Sequence, residues 1–192
     1  TAVTTFIASL RQYMMQVCVE EKGNWYGSAF GVPKEVLSEL SADERTDAVA
    51  VWQELGYARI PGITEEEIDS FYVPYLYVTG ISDGFTEILP VELMEGRMPE
   101  NSQEILISGN ALNWALPDVK IGDTLTLELG ERVSDGERLS PYNPLVYTQE
   151  ENSGDISIAE EIIPKETREY TTTGIMKSPS FMAGSSNPAV YC

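Results

Sequence analysis

The sequence predicts an α+β domain of mixed sheets and short helices. Apolar residues near the N-terminus recur at helical spacing, whereas residues 124–129 alternate between polar side chains and leucine, which is the period of a half-buried strand. With 192 residues the chain is long enough for one sizeable domain. It also allows two lobes, one of residues 1–92 with 179–192 and one of residues 93–178.

The N-terminal part is expected to hold two helices and a hairpin. Residues 4–16 carry an apolar face, and this amphipathic helix should end near Val17. Residues 17–32 have two apolar arms around a polar turn at 21–24, which indicates a β-hairpin. Pro33 then opens a short helix over residues 33–40, because proline is tolerated in the first turn of a helix.

Two strands and a short helix should follow. Residues 47–60 and 72–81 are rich in apolar and aromatic side chains and predict strands. Between them, Thr64 and Glu67 have the spacing of a capping box. A short helix is expected over residues 82–89.

The strand signals are clearest in the second half of the chain. A strand at 104–109 should lead into a short helix at 110–116, which Pro117 ends. Strands are also predicted at 120–129 and 169–177, and residues 188–192 look like the start of another. In the strand 120–129, alternation predicts one buried face (Leu125, Leu127, Leu129) and one exposed face (Thr124, Thr126, Glu128).

Residues 130–169 form a polar segment rich in Glu, Ser, Pro and Gly. Its apolar residues are few and are interrupted by Pro141, Pro144 and Pro164, which is too little for an independent core. We therefore expect a projecting hairpin or a partly disordered flap. Deleting residues 134–164 should leave a folded domain.

Composition excludes several classes of function. The formal net charge of −19 argues strongly against nucleic-acid binding, which needs clustered Lys and Arg on the phosphates, and it disfavours anionic lipid head groups. The chain has no His, which excludes Ser-His-Asp and Cys-His catalysis and His-ligated metals. No cofactor is expected.

Neither the cysteines nor the acidic clusters predict a definite site. Cys18 and Cys192 lack the close spacing of zinc or redox sites, and both a disulfide and two free thiols are open. The acidic run at 65–69 lacks the ligand spacing of a calcium loop, so a solvated helix start is favoured over a cation site. No run of 18 apolar residues is present, and the N-terminus has neither a signal-peptide pattern nor an initiating Met, which indicates an excised piece.

Candidate contact residues come from a turn and from the aromatic side chains. In the turn, Gly96 and Arg97 precede Pro99, and the simplest interpretation is a turn glycine with Arg97 paired to a nearby carboxylate. Gly122 and Asp123 also indicate a turn. A second group of residues could line a ligand groove, although aromatic residues in strands more often belong to the core: Trp25, Tyr26, Trp52, Tyr72, Tyr75 and Tyr77. The residues retained as candidate partner contacts are Arg97, Trp25, Tyr26, Tyr142 and Tyr147.

Three stretches together resemble a known family. They are "EGRMPENSQEILIS", "KIGDTLTLEL" and "REYTTTGIMKSPSF", in that order. The extracytoplasmic domains of FtsX/MacB-type ABC transporter permeases have a G-R-x-P turn, a polar spacer and E-I-x-I-S, then a V/I-G-D strand and a later Y-x-x-x-G-I strand. The upstream pieces "ASLRQYM", "GNWYGSAFGV" and "PYLYVTGISDGF" are similar to the Firmicutes-type branch of that family.

The resemblance implies a MacB-like periplasmic core domain on the extracellular side of the cell membrane. Residues 1–16 would continue a first transmembrane helix outward, and the chain would return to a second one after Cys192. A cognate ATPase would act through the transmembrane part, and a second permease copy and an envelope partner are implied. The domain itself would be non-catalytic, and the absence of a phosphate-binding loop agrees with this.

Two other classes stay open. One is a freestanding secreted binding module for cell-wall components or basic peptides, with the aromatic side chains as its surface. The other is a secreted hydrolase that uses paired carboxylates, which needs no His. Its acidic residues fall mainly in turns and in the segment 130–169, which argues against such a site.

Overall fold

The computed structural model describes residues 2–63, 74–149, 156–178 and 188–192. Within these ranges the chain forms both helices and strands, so the predicted α+β class is confirmed. The predicted capping box at Thr64 lies outside the described residues.

The chain divides into two compact units, which are described separately. The helical unit comprises Thr1–Trp52 and Ile81–Val91, and the barrel unit comprises Gln53–Gly80 and Glu92–Cys192. The α-helices are α1 (Ala2–Lys22), α2 (Lys34–Ala42) and α3 (Phe85–Ile88). The strands are β1 (Trp52–Arg59), β2 (Tyr75–Ile81), β3 (Leu93–Gly96), β4 (Glu104–Ser108), β5 (Thr124–Ser134), β6 (Glu137–Arg138), β7 (Tyr147–Gln149), β8 (Ile156–Ile158), β9 (Glu161–Met176) and β10 (Ala189–Tyr191).

Six strands close into a barrel. Their order is β9, β4, β10, β2, β1 and β5, and β5 pairs with β9 to complete the ring. The pairs β4–β9 and β10–β2 are parallel, whereas β1–β5, β5–β9 and β10–β4 are antiparallel, so the predicted mixed sheet is confirmed. The short strands β3 and β6 extend the sheet beside β9 and β5, and β7 pairs with β8 in a separate two-stranded antiparallel sheet.

The barrel encloses an apolar core built from alternate residues of its strands. The strand members of this core are Ala58, Leu76, Val78, Ile105, Ile107, Leu125, Leu127, Leu129, Tyr170 and Val190. A single turn of π-helix, Ala111–Ala115, adds two buried alanines. The predicted faces of β5 are confirmed, because its three leucines are buried while Thr124, Thr126 and Glu128 are exposed.

The helical unit differs from the sequence expectation at the end of its first helix. The helix was expected to stop near Val17, but α1 continues to Lys22 because Glu20, Glu21 and Lys22 are good helix formers. Gly23 ends it at φ +94, and its N–H bonds to the carbonyl of Val19. The prediction of a β-hairpin over residues 17–32 is therefore wrong.

Most other predicted elements are confirmed, with shifted ends. The short helices α2 and α3 and the strands β2, β4, β5, β9 and β10 fall where the patterns place them. The strand predicted at 47–60 begins only at Trp52. Tyr72 lies outside the described residues, so the start of the strand predicted at 72–81 is untested.

The prediction that residues 130–169 stand apart from the core is wrong. β5 runs on to Ser134 and β9 begins at Glu161, so strands occupy both ends of this segment. Arg132, Leu145 and Glu160 are buried. A deletion of residues 134–164 would remove two of these three side chains, so we now expect it to destabilise the barrel unit.

The barrel also crosses the expected lobe boundary. Strands from residues 52–81 and 189–191 lie in the same ring as strands from residues 104–176. Lobes divided between residues 92 and 93 would split this ring, and the compact units follow a different division.

The two faces of β5 give a direct test of the barrel core. Leu127→Asp places an unpaired charge among apolar side chains and should cost on the order of 4 kcal/mol or more in the free energy of unfolding. In the Thr126→Asp variant the new carboxylate lies on the exposed face opposite Glu169, and the repulsion between the two carboxylates should lower the unfolding free energy by less than about 1 kcal/mol. Urea unfolding of both variants measures the difference, and equal losses would contradict the described faces.

Candidate functional surface

The helical unit leaves most of its apolar side chains in contact with solvent. Eight large apolar residues of α1 are exposed: Val3, Phe6, Ile7, Leu10, Tyr13, Met14, Met15 and Val19. Among the described residues of this unit, Phe85 is the one buried side chain, and Trp52 packs edge-on against its ring at 6.4 Å between centroids. Exposed apolar surface of this extent marks an interaction site in soluble domains.

Four of these exposed side chains form a regular stripe on α1, which the half-buried Val17 continues. Its members Val3, Ile7, Leu10, Met14 and Val17 are separated by four, three, four and three residues. This spacing places them on one side of a helix, where they form a seam of the kind that packs against another helix. Shallow depressions line the same helix beside Ile7 and Met15.

A second exposed apolar feature follows α1. Residues 23–33, here called the aromatic loop, contain Trp25, Tyr26 and Phe30, which are 48%, 99% and 84% exposed. The indole N–H of Trp25 donates a hydrogen bond to the carbonyl of Lys22 at 2.8 Å, which fixes its ring. At the start of the loop, the N–H of Asn24 bonds to the carbonyl of Ile88, also at 2.8 Å.

In the barrel unit, Arg97 and Glu104 form a bidentate ion pair. Two guanidinium nitrogens of Arg97 donate to the Glu104 carboxylate at 2.6 and 2.7 Å, and the N–H of Glu100 donates to the same carboxylate at 2.9 Å. These bonds, above all the one from Arg97, lower the pKa of Glu104 from 4.5 to about 2. The interpretation of Arg97 as the partner of a nearby carboxylate is confirmed.

The backbone conformation of Gly96 and its close contact with β9 require a glycine at this position. Its φ is +80, and a Cβ there would lie 2.2 Å from the carbonyl oxygen of Thr173 and 2.7 Å from the Cα of Gly174. The chain thus passes directly against β9, where β3 pairs with it.

The three stretches quoted for the family resemblance all meet on β9. β3 and β4, from the first stretch, pair with residues 171–176 of β9. β5, from the second, pairs with residues 161–171. The turn at Gly122 and Asp123 is confirmed: the Gly122 N–H donates to the carbonyl of Thr172 in β9, and the Thr172 N–H donates to the carbonyl of Asp123. The motif residues therefore belong to one structural unit.

A tyrosine face covers the other side of the strands that form the barrel. It consists of Tyr57, Tyr75, Tyr77 and Tyr191, all buried, with the rings of Tyr57 and Tyr77 5.3 Å apart. Burial raises the pKa of all four side chains. For Tyr75 and Tyr77, the interpretation as core rather than groove is confirmed.

The segment around residues 139–146 is fastened to this face by a buried ion pair. Arg132 donates to both carboxylate oxygens of Glu160 at 2.8 and 2.9 Å, and both side chains are fully buried. Its guanidinium lies 5.5 Å from the ring centre of Tyr57 and 5.8 Å from that of Tyr75. It also donates weaker bonds to the carbonyls of residues 140, 143 and 144.

The predicted contact residues do not converge on one site. Trp25 and Tyr26 lie in the aromatic loop of the helical unit. Tyr142 and Tyr147 belong to the barrel unit and are 53% and 42% exposed, and Arg97 is held by Glu104. Sequence reasoning missed Phe30, although it lies in the same uncharged stretch as Trp25.

In the part of the chain that the structure describes, no group of three or more Cys, Asp or Glu side chains is arranged to hold a metal ion. The acidic run at 65–69 lies outside that part. Cys18 is an exposed free thiol and Cys192 a half-buried one. Of the helices in the described ranges, none is long and apolar enough to cross a membrane.

No protein-family model matches the sequence, and comparison with characterised proteins returns no match either. The family resemblance therefore stays a hypothesis that rests on the motifs.

The buried ion pair predicts a large effect of a small substitution. Glu160→Ala leaves the Arg132 charge buried without its partner, which should cost about 3–5 kcal/mol of unfolding free energy in urea. The neighbouring Glu161→Ala removes an exposed carboxylate and should cost less than about 1 kcal/mol. The double variant Arg132→Met/Glu160→Leu should recover most of the lost unfolding free energy, because it leaves no unpaired charge in the interior. If it does not, the hydrogen bonds of the pair contribute stability beyond the neutralisation of the two charges.

The Arg97–Glu104 pair predicts a defined pH dependence. Because the folded-state pKa of Glu104 lies below its ordinary value, the pair stabilises the fold above about pH 4.5, and this contribution is lost as the pH falls towards 2. Glu104→Gln should remove that part of the pH dependence, whereas Glu95→Gln, an exposed site on β3, should preserve it. Thermal unfolding from pH 7 to pH 2 measures both, and parallel curves for wild type and Glu104→Gln would contradict the assignment.

Proposed function

We propose that the chain is the non-catalytic extracytoplasmic domain of an FtsX/MacB-type ABC transporter permease, with a MacB-like periplasmic core domain. In this role it couples the motion of transmembrane helices to export, or to engagement of a lipid-linked, peptide or envelope partner. A cognate ATPase, acting through the transmembrane part, would drive that motion, and a second permease copy would complete the transporter.

The exposure of α1 carries this proposal. A 21-residue helix with an apolar stripe and little to pack against in its own unit is expected where other helices of a larger protein cover it. In a permease those helices are the membrane-proximal ones. Helix packing through such a stripe would transmit a shift of one helix to the next, because close-packed side chains resist deformation.

The arrangement of the motifs gives further support. A G-R-x-P turn alone occurs by chance in many proteins, but here the turn, the two following strands and the Y-x-x-x-G-I strand pack on one another around β9. Such mutual packing explains why these residues would recur together in a family.

In a permease, the full-length gene should encode transmembrane segments on both sides of this chain. One apolar segment should precede Thr1 and three should follow Cys192 in the full-length protein. A signal peptide before Thr1 and a stop codon after Cys192 would instead favour the secreted module.

Coupling through α1 can be measured in the full-length permease reconstituted with its ATPase. Leu10→Asp places a charge in the centre of the stripe and should lower ATP hydrolysis by the complex by at least about tenfold, because a desolvated, unpaired charge costs more than 1.4 kcal/mol. Gln12→Asp changes an already polar, exposed position of the same helix and should leave the rate within about twofold. Equal rates for the two variants would contradict a role of the stripe in coupling.

A further inference from the structure

The aromatic loop is unusual in a chain of this charge. Its residues 23–33 contain no charged side chain, although the whole chain carries 31 acidic and 12 basic residues. Lys22 and Lys34 stand immediately on either side of this window. An uncharged stretch with three exposed aromatic rings, bounded by two lysines, therefore interrupts a strongly acidic sequence.

The structure holds these rings outward. α1 ends at Gly23 and α2 begins after Pro33, so the loop is fixed at both ends by helices of the same unit. Around its tip, a Cβ added at Gly27 or Gly31 would have no atom within 4 Å, which shows that the tip projects into open space. Tyr26, at 99% exposure, has almost no contact with the protein.

We infer that the aromatic loop inserts into the interface of a lipid bilayer. Trp and Tyr favour the head-group region, where the ring is apolar and its polar atom stays hydrated, and Phe30 would reach the acyl chains. Lys22 and Lys34 flank the loop in the sequence, and their long side chains could reach lipid phosphates. A sugar-binding or peptide-binding loop would need several polar side chains for direction, and the tip offers only Asn24 and Ser28.

The net charge of the chain determines whether binding to zwitterionic or to anionic lipid is favoured. A net charge of −19 repels an anionic surface, so insertion is driven by the aromatic rings and not by electrostatic attraction. Zwitterionic lipid should bind better than anionic lipid, and added salt should strengthen binding to anionic vesicles by screening the repulsion. This salt dependence is opposite in sign to that of a basic peripheral protein.

The inference does not rest on the permease proposal, but it constrains it. α1 is about 30 Å long, and the loop follows its last residue. If the N-terminal end of α1 emerges from the same bilayer, the loop reaches the lipid only when α1 runs along the membrane surface.

Vesicle flotation of the 192-residue chain tests the inference. Phosphatidylcholine vesicles should carry the protein upward, and replacing about one third of the lipid by phosphatidylglycerol should weaken binding at low salt. The triple variant Trp25→Ser/Tyr26→Ser/Phe30→Ser should bind phosphatidylcholine at least about tenfold more weakly, because three apolar ring contacts are removed. Brominated phosphatidylcholine should quench tryptophan fluorescence in the wild type and not in the triple variant.

A matched control uses exposed aromatic residues elsewhere. Tyr142→Ser/Tyr147→Ser removes two exposed rings of the barrel unit and should bind like the wild type. Far-UV circular dichroism verifies that all variants are folded. Equal binding by wild type and triple variant, absence of binding to phosphatidylcholine, or binding to anionic vesicles that salt abolishes would each overturn the inference. Capture of a polysaccharide or a peptide by the loop without vesicle binding would overturn it too.

Discussion

The architecture depends on one strand that changes its partners along its length. β9 pairs with β5 over its first eleven residues and with β4 over its last six, and β3 pairs with its last three; Thr171 is opposite both Thr124 and Glu104. Because backbone donors and acceptors need partners throughout, this exchange closes the sheet into a ring. The bulge on β9 between Thr172 and Gly174 accommodates the change, and the buried Thr173 hydroxyl bonds to the carbonyl of Ile105.

The buried Arg132–Glu160 pair serves a different purpose from the apolar core. Removing two opposite charges from water costs about as much as their attraction returns, so such pairs contribute little net stability. Their value lies in position: the guanidinium has five directed donors, and here they fix the chain near residues 140–146 over the tyrosine face. An apolar contact of equal area would leave that chain free to slide.

Sequence reasoning succeeded where a local pattern carries the structural information. The alternation of leucine and polar residues in β5 specifies a face without knowledge of its neighbours, and Pro33 marks the start of α2. It failed at residues 17–32, where the polar residues 21–24 predict the turn of a hairpin although Glu21 and Lys22 also continue a helix until Gly23 ends it. The local pattern did not distinguish the two.

The failure at residues 130–169 has another cause. From composition alone, charged residues such as Arg132 and Glu160 are expected on the surface. They are 28 positions apart in the sequence and pair in the interior, so their mutual neutralisation is visible only in the fold. Local sequence patterns likewise do not predict that the apolar face of α1 is exposed. Periodicity predicted the apolar face of α1 correctly, but an apolar face in a sequence is ordinarily assigned to the core of its own chain, and here it is exposed.

The position of β10 imposes an order on folding. This strand comes from residues 189–191, after the other strands of the described residues, yet it lies between β4 and β2 in the ring. During synthesis both neighbours emerge long before it, with unpaired edges facing each other across a gap. Such edges recruit strands from other chains until the gap is filled. Closure of the barrel therefore waits for the last strand, and a nascent chain halted before residue 189 is the form most exposed to aggregation.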